Sequence, residues 1–165
     1  MHINCNSWFK VNKRLSNEGS TILELKQERF FKNPEEENSG NDKPIWNIPI
    51  LITAKSSYPN IFKSVLMDTK SLEVDLGKLD NTDWIKLNSN NLGFFRVNYS
   101  KKYFEELIVH LDDANKLGST LDRFGLVSDA FAMVKLNDIN QNNSTGEVFL
   151  VFNKIIENVT TLCIF

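Results

Sequence analysis

The hydrophobic period of this chain changes once, at Tyr99-Ser100, and that change restricts the fold to strands followed by helices. Before it, Leu23 and Leu25 alternate with Glu24 and Lys26. Trp46, Ile48, Ile50 and Ile52 repeat the two-residue step, and Leu72, Val74 and Leu76 do so again. Phe95, Val97 and Tyr99 form one face of a further strand, with Phe94, Arg96 and Asn98 on the other. Pro49 has no ladder donor, so it puts its strand at a sheet edge or marks a pairing break near the strand's start. Short strands separated by turn residues, with no helical period between them, predict an antiparallel β-sandwich. Residues 33–44, rich in breakers and acids, predict a solvated loop. The run Glu35-Glu36-Glu37 does not give the alternating oxygen ligands of a calcium loop.

After Tyr99 the apolar residues recur every three or four positions. Phe104, Leu107, Ile108 and Leu111 form a stripe behind a cap at Ser100, which predicts a helix over residues 101–111. Ser119 and Asp122 have capping-box spacing, ahead of a second stripe formed by Phe124, Val127, Phe131 and Val134. Ser144 to Glu147 repeats the device before Val148, Phe149, Val151, Phe152, Ile155, Ile156 and Val159. A third helix is predicted there, with an apolar face wider than its neighbours in this chain can cover. The whole reads as an α+β chain of two regions, with a boundary at residues 98–100.

Composition excludes several functions. A formal net charge of −2, with the basic residues scattered, leaves no face for phosphates, so nucleic acid is not expected as a partner. No segment has the length and apolarity of a membrane span, and the first residues lack the pattern of a signal peptide. Cys5 and Cys163 have neither metal nor redox spacing. Asparagine is frequent throughout, which reads as codon bias. It also makes the sequons at Asn98, Asn142, Asn143 and Asn158 weak signals. A zinc site of the H-E-x-x-H kind needs two histidines one helical turn apart, whereas the two histidines here are His2 and His110. Both read as structural or solvent-facing, His110 near the carbonyl end of the first helix. Asp112-Asp113 point in different directions on a helix and suit its exit. Arg123 suits a surface or interdomain pair. No catalytic, metal or cofactor set can be assembled from these residues.

One resemblance is specific. Trp84-Ile85-Lys86-Leu87-Asn88, followed by Gly93-Phe94-Phe95-Arg96-Val97-Asn98-Tyr99, closely resembles the W-I-K-L-N … G-F-Y-R-V-N-Y segment of zinc aminopeptidases of the aminopeptidase N type. In the same order, Gln27-Glu28-Arg29-Phe30-Phe31 resembles a Q-x-R-F-L strand, and Trp46 to Ile50 resembles W-x-I-P-(I/V/L). Asp122 to Ala132 resembles D-R-A-x-L-I-D-D-A-F-A. The W-N-I-P-I spelling and the acidic loop are most similar to the glutamyl aminopeptidase branch. Phe95 and Ser128 depart from the usual tyrosine and acid, and Asn137 stands where a glycine commonly ends the helix, in a left-handed position that asparagine tolerates. The match fades before Leu15 and after Glu147, and the last residues suggest a truncated product.

The resemblance implies a β-sandwich over residues 1–98, incomplete at its N-terminus with its first strand absent or vestigial. Antiparallel helices over 99–165 would begin an α-solenoid that is cut short. It implies a non-catalytic scaffold that links a zinc-bearing catalytic domain to a helical lid, with a joint at Trp84 and Gly93, Phe94, Phe95, Arg96, Val97, Asn98 and Tyr99. Ser119 and Asp122 would cap the second helix. Partners would be the catalytic and C-terminal domains of the same protein. Zinc and peptide substrate would belong to the full-length protein, whose relatives occupy plasma-membrane, endoplasmic-reticulum, secreted or cytoplasmic compartments. An independent binding module, or a fragment that docks on a full-length aminopeptidase, is the alternative.

Overall fold

The computed structural model describes residues 7–29, 45–80, 83–111 and 117–140. The acidic loop, the predicted third helix, His2, both cysteines, Asp112-Asp113 and the sequons beyond residue 140 lie outside them. Among the described residues, seven strands precede two α-helices. The strands are β1 (Ser7–Leu15), β2 (Thr21–Arg29), β3 (Ile48–Ala54), β4 (Lys63–Met67), β5 (Ser71–Asp75), β6 (Ile85–Leu87) and β7 (Arg96–Tyr99). The helices are α1 (Lys101–Ile108) and α2 (Thr120–Asn140).

One sheet runs β5-β2-β1-β7 and the other β4-β3-β6. Alternation works as expected in β2, where Leu23 and Leu25 are buried opposite Val74 and Leu72 of β5. Inward residues of both sheets, among them Phe9, Val11, Ile50, Ile52 and Leu87, meet in a single apolar core that continues into Tyr103, Leu107 and Ile108 of α1. Gln27 is also fully buried, and its amide is saturated. Nε2 donates to the carbonyls of Trp46 and Thr69, while Oε1 accepts from the Trp46 amide. Two of the motif blocks, around Gln27 and Trp46, thus meet in space. Pro49 sits where β3 pairs only with β4, because β6 joins β3 from Ile52 onward.

A further strand precedes those read from the sequence: β1 is nine residues long and lies between β2 and β7, with Phe9 and Val11 buried by the same alternation. Three expectations need correction. The sheets are not wholly antiparallel, since β7 runs parallel to β1, with Phe9 opposite Val97 and Val11 opposite Tyr99. β7 arrives from the other sheet through residues 88–95, so it is not bound by the antiparallel geometry of a hairpin. The first helix stops at Ile108 rather than Leu111, where His110 and Leu111 bond three residues back and tighten the exit into a turn. Ser100 occupies the N-cap position without capping, and its hydroxyl donates to Asn12 Oδ1 at 3.1 Å instead.

Candidate functional site

The residues that carry the resemblance converge where β6, β7 and α2 meet. β6 supplies Ile85, Lys86 and Leu87, all three buried, although a three-residue strand with one wet face would expose the lysine. The backbone of β6 is held from the far side by two phenols. Tyr99 Oη accepts from the Leu87 amide at 3.0 Å, and Tyr103 Oη donates to the Ile85 carbonyl at 2.9 Å. The two rings stack edge to face at 5.1 Å, and burial pushes both phenols well above their ordinary value.

Beyond β6 the chain turns on asparagines. Asn88, Asn90 and Asn91 have φ of 58°, 54° and 54°, a left-handed region that asparagine enters more readily than most residues. Codon bias therefore does not account for these three. Asn88 Nδ2 donates to the carbonyls of Gly93 and Phe95, and Oδ1 accepts from the Gly93 amide at 2.7 Å. Gly93 lies against the Phe95 ring, leaving no space for a β-carbon. Phe95 is in turn edge-on to Phe9 at 4.8 Å.

α2 turns two acids, seven residues apart, towards the sheets. Asp122 forms the expected cap, with Ser119 N and Oγ donating to Oδ2 and the Asp122 amide donating to Ser119 Oγ. It also does what the sequence did not indicate. Its Oδ1 lies 3.2 Å from Lys86 Nζ and accepts from the Asn90 amide at 2.7 Å. Lys86 Nζ spends its remaining donors on the carbonyls of Leu87 and Asn88, so a 3% exposed ammonium is fully partnered. Asp129 Oδ2 accepts from the Val97 amide at 3.0 Å, and Oδ1 pairs with Arg96 at 3.2 Å. The outer edge of β7 is thereby capped by a side chain of α2 instead of another strand. Arg96 also reaches Ser128 O and Oγ, so serine serves here in place of the usual acid.

The other sequence-predicted residues divide. Val97 and Tyr99 are buried, and Arg96 and Asn98 are partly buried. Trp84 is buried with its Nε1 lacking a partner, and its ring packs against Tyr58. Phe94 points away and is 71% exposed. Arg123 donates to the Leu117 and Gly118 carbonyls and to Thr120 Oγ1. Of the predicted stripe of α2, Val127 packs against the core while Phe124 and Phe131 turn outward, and Asp122, Leu126, Asp129 and Met133 are inward. His110 lies in the turn after α1. Among the described residues, no three His, Cys, Asp or Glu side chains are grouped to hold a metal, and no helix is long and apolar enough to cross a membrane.

The roles of Lys86 and Asp129 emerge only from the tertiary structure. The signal available was the seven-residue spacing of Asp122 and Asp129, which puts both on one helical face. Their surroundings separate their titrations. Burial alone would push Asp122 up, but Lys86, Ser119 and the Asn90 amide together hold it below the ordinary carboxylate value. Burial lowers Lys86, although Asp122 opposes this. Asp129 has fewer donors, and burial pushes it up to about 6 from 3.8, against the pull of the Val97 amide and Arg96.

The stability consequence has a definite sign. Folded Asp129 holds its proton more tightly than the unfolded chain does, so its contribution is fully present below about pH 3.8 and is lost as pH rises through about 6. A gap of about two pH units corresponds to about 3 kcal/mol at most. The Asp122 contribution runs the other way and is lost as pH falls below the usual carboxylate range. Unfolding free energy, measured by urea titration, is therefore expected to fall between pH 4.5 and 6.5, and Asp129→Asn is expected to flatten that slope. An unchanged slope in the variant would assign the titration elsewhere.

A sheet pair passing through a short β6-β7 crossover into helices, with one buried and one half-buried ion pair tying helix to sheet, defines the class: a strand-to-helix junction segment. Residues 84–144 match the family model described as the ERAP1-like C-terminal domain. The chain is 35% identical over 116 residues to endoplasmic reticulum aminopeptidase 2 of Bos taurus, covering 68% of this chain and 12% of that protein. It is 29% identical over 132 residues to the puromycin-sensitive aminopeptidase of Caenorhabditis elegans, covering 80% and 13%. It is 26% identical over 153 residues to the glutamyl aminopeptidase of Homo sapiens, covering 84% and 16%. The chain belongs to this aminopeptidase family, as a segment of it. It spans between 12% and 16% of the length of these relatives.

Proposed function

We propose that this chain is the non-catalytic joint of a zinc metallo-aminopeptidase, a spacer whose sheets and first helices set the angle between a catalytic domain and a helical lid. The observation that carries the reading is the buried Lys86–Asp122 pair, reinforced by Arg96–Asp129. Both lie inside the stretch that matches the C-terminal domain model and tie α2 to β6 and β7. A spacer needs a fixed angle. The buried Lys86–Asp122 pair supplies one, because a small rotation of α2 would leave those two charges unpaired at a cost of several kcal/mol. On this reading the boundary between the two regions is put at residues 98–100; β7 ends at Tyr99 and α1 begins at Lys101. The helices after it begin a helical repeat, and peptide substrate and zinc belong to the catalytic part of the complete protein.

The test is an assay of the purified chain. It is expected to hold no stoichiometric zinc by elemental analysis and to release no product from aminoacyl-arylamides. Zinc-dependent turnover that co-purifies with the chain and is abolished by chelator would overturn the reading.

A further inference from the structure

Strand alternation buries Val97 and Tyr99 of β7 and turns Arg96 and Asn98 to the outer face of the four-stranded sheet. Arg96 is drawn aside to Ser128 and Asp129. Asn98 lies opposite Lys10 of β1, and its side-chain amide makes no hydrogen bond among the described residues. It opens the triplet Asn98-Tyr99-Ser100, an acceptor pattern for N-linked oligosaccharide. Frequent asparagine makes the triplet a weak signal by itself, and the fold supplies what frequency cannot. Beside Asn98, the side chains of Lys10, Asn12, Glu24, Lys26, Ser71 and Glu73 line a shallow trough of about 400 Å³ across the outer face. Another domain closing over these groups would strip them of water without partnering them all, so the face stays hydrated in the complete protein. A glycan there displaces no packing, and its hydroxyls match the donors and acceptors of the trough.

We propose that Asn98 is an N-glycosylation site, with the first sugars lying over Lys10 and Asn12. In the transfer, Asn98 Nδ2 bonds to the anomeric carbon of an oligosaccharide carried on a lipid diphosphate. The carbon–oxygen bond to the diphosphate breaks, the diphosphate leaves with the electron pair, and the amide gives up one proton. Transfer precedes closure of the sandwich. In the folded chain Tyr99 is buried, the Ser100 amide donates to the Val11 carbonyl at 2.8 Å and its hydroxyl donates to Asn12 Oδ1 at 3.1 Å. A transferase therefore engages Asn98 and Ser100 together only on the nascent chain, and the complete protein passes through the compartment that holds the lipid-linked donor.

Peptide mapping of the complete protein from its own source is expected to find the Asn98 peptide bearing N-acetylglucosamine. Peptide N-glycosidase F in heavy-oxygen water is expected to turn that residue into labelled aspartate. An unmodified Asn98 in that protein would overturn the proposal. The full chain, expressed behind a cleavable secretory leader in cultured mammalian cells, tests the cause. Ser100→Ala removes the hydroxyl two residues on and one exposed hydrogen bond, so complete loss of the Asn98 glycan is expected, with Ser100→Thr retaining it. A glycan that persists in Ser100→Ala would overturn the assignment to this triplet. Occupancy is read on total membrane-fraction protein, so it does not depend on how much of the chain folds. Amides of β1 and β7 are expected to be equally protected from exchange in the glycosylated chain and in Ser100→Ala. Protection lost only in the glycosylated chain would overturn the placement of the sugar on this face. None of these outcomes bears on zinc or turnover, so the joint reading stands or falls separately.

Discussion

Lys86→Met is expected to lower the unfolding free energy by about 3–5 kcal/mol, the cost of leaving a buried charge without its partner. The ammonium and Asp122 carboxylate are 3% and 2% exposed, so water cannot replace either. Methionine matches the length of the lysine stem but gives nothing to Asp122 or to the Leu87 and Asn88 carbonyls. Adding Asp122→Asn removes the stranded charge and keeps an acceptor for Ser119, so the double variant is expected to recover part of the loss. Urea unfolding followed by tryptophan fluorescence measures both. A loss below about 1 kcal/mol for Lys86→Met would mean that the pair is solvated and that α2 is held by apolar contacts alone.

Gly93→Ala should cost about 1–3 kcal/mol through overpacking. A β-carbon there would fall within 2.7 Å of two Phe95 ring carbons and 3.0 Å from Asn88 Oδ1. Phe95 cannot simply swing away, because its ring is 6% exposed and packed edge-on to Phe9. Asn88 is equally committed, with its amide bonded to Gly93 and Phe95. Phe95→Leu in the same chain is expected to relieve part of the strain, and comparing thermal midpoints of the single and double variants checks it. Equal midpoints for wild type and Gly93→Ala would show that the β6-β7 crossover is loose enough to move aside.

Much of this architecture was legible in local pattern. A two-residue step marks whichever face of a strand meets a core, and it marked Leu23, Leu25, Ile50, Ile52, Val97 and Tyr99. The same step is present in β1, at Phe9 and Val11. The capping box at Ser119 and Asp122 is a bond between residues three apart, so spacing alone sufficed to place it.

Tertiary structure decided the site. Lys86 alternates with Ile85 and Leu87 and by its sequence faces solvent; it is buried because α2 lies over that face, and no residue near position 86 records what arrives from position 122. Phe124 and Phe131 of α2 turn outward for the same reason. Periodicity ranks residues by hydrophobicity, and Phe124 and Phe131 outrank Asp122 and Asp129. An acid is nevertheless buried when a cation and backbone donors already wait on the other side, as Lys86, Arg96 and the amides of Asn90 and Val97 do. Sequence alone thus determined where strands give way to helices, since that depends on each residue and its near neighbours. Which charges would be taken out of water depended on groups far apart along the chain, and only the packing of α2 against β6 and β7 brought them together.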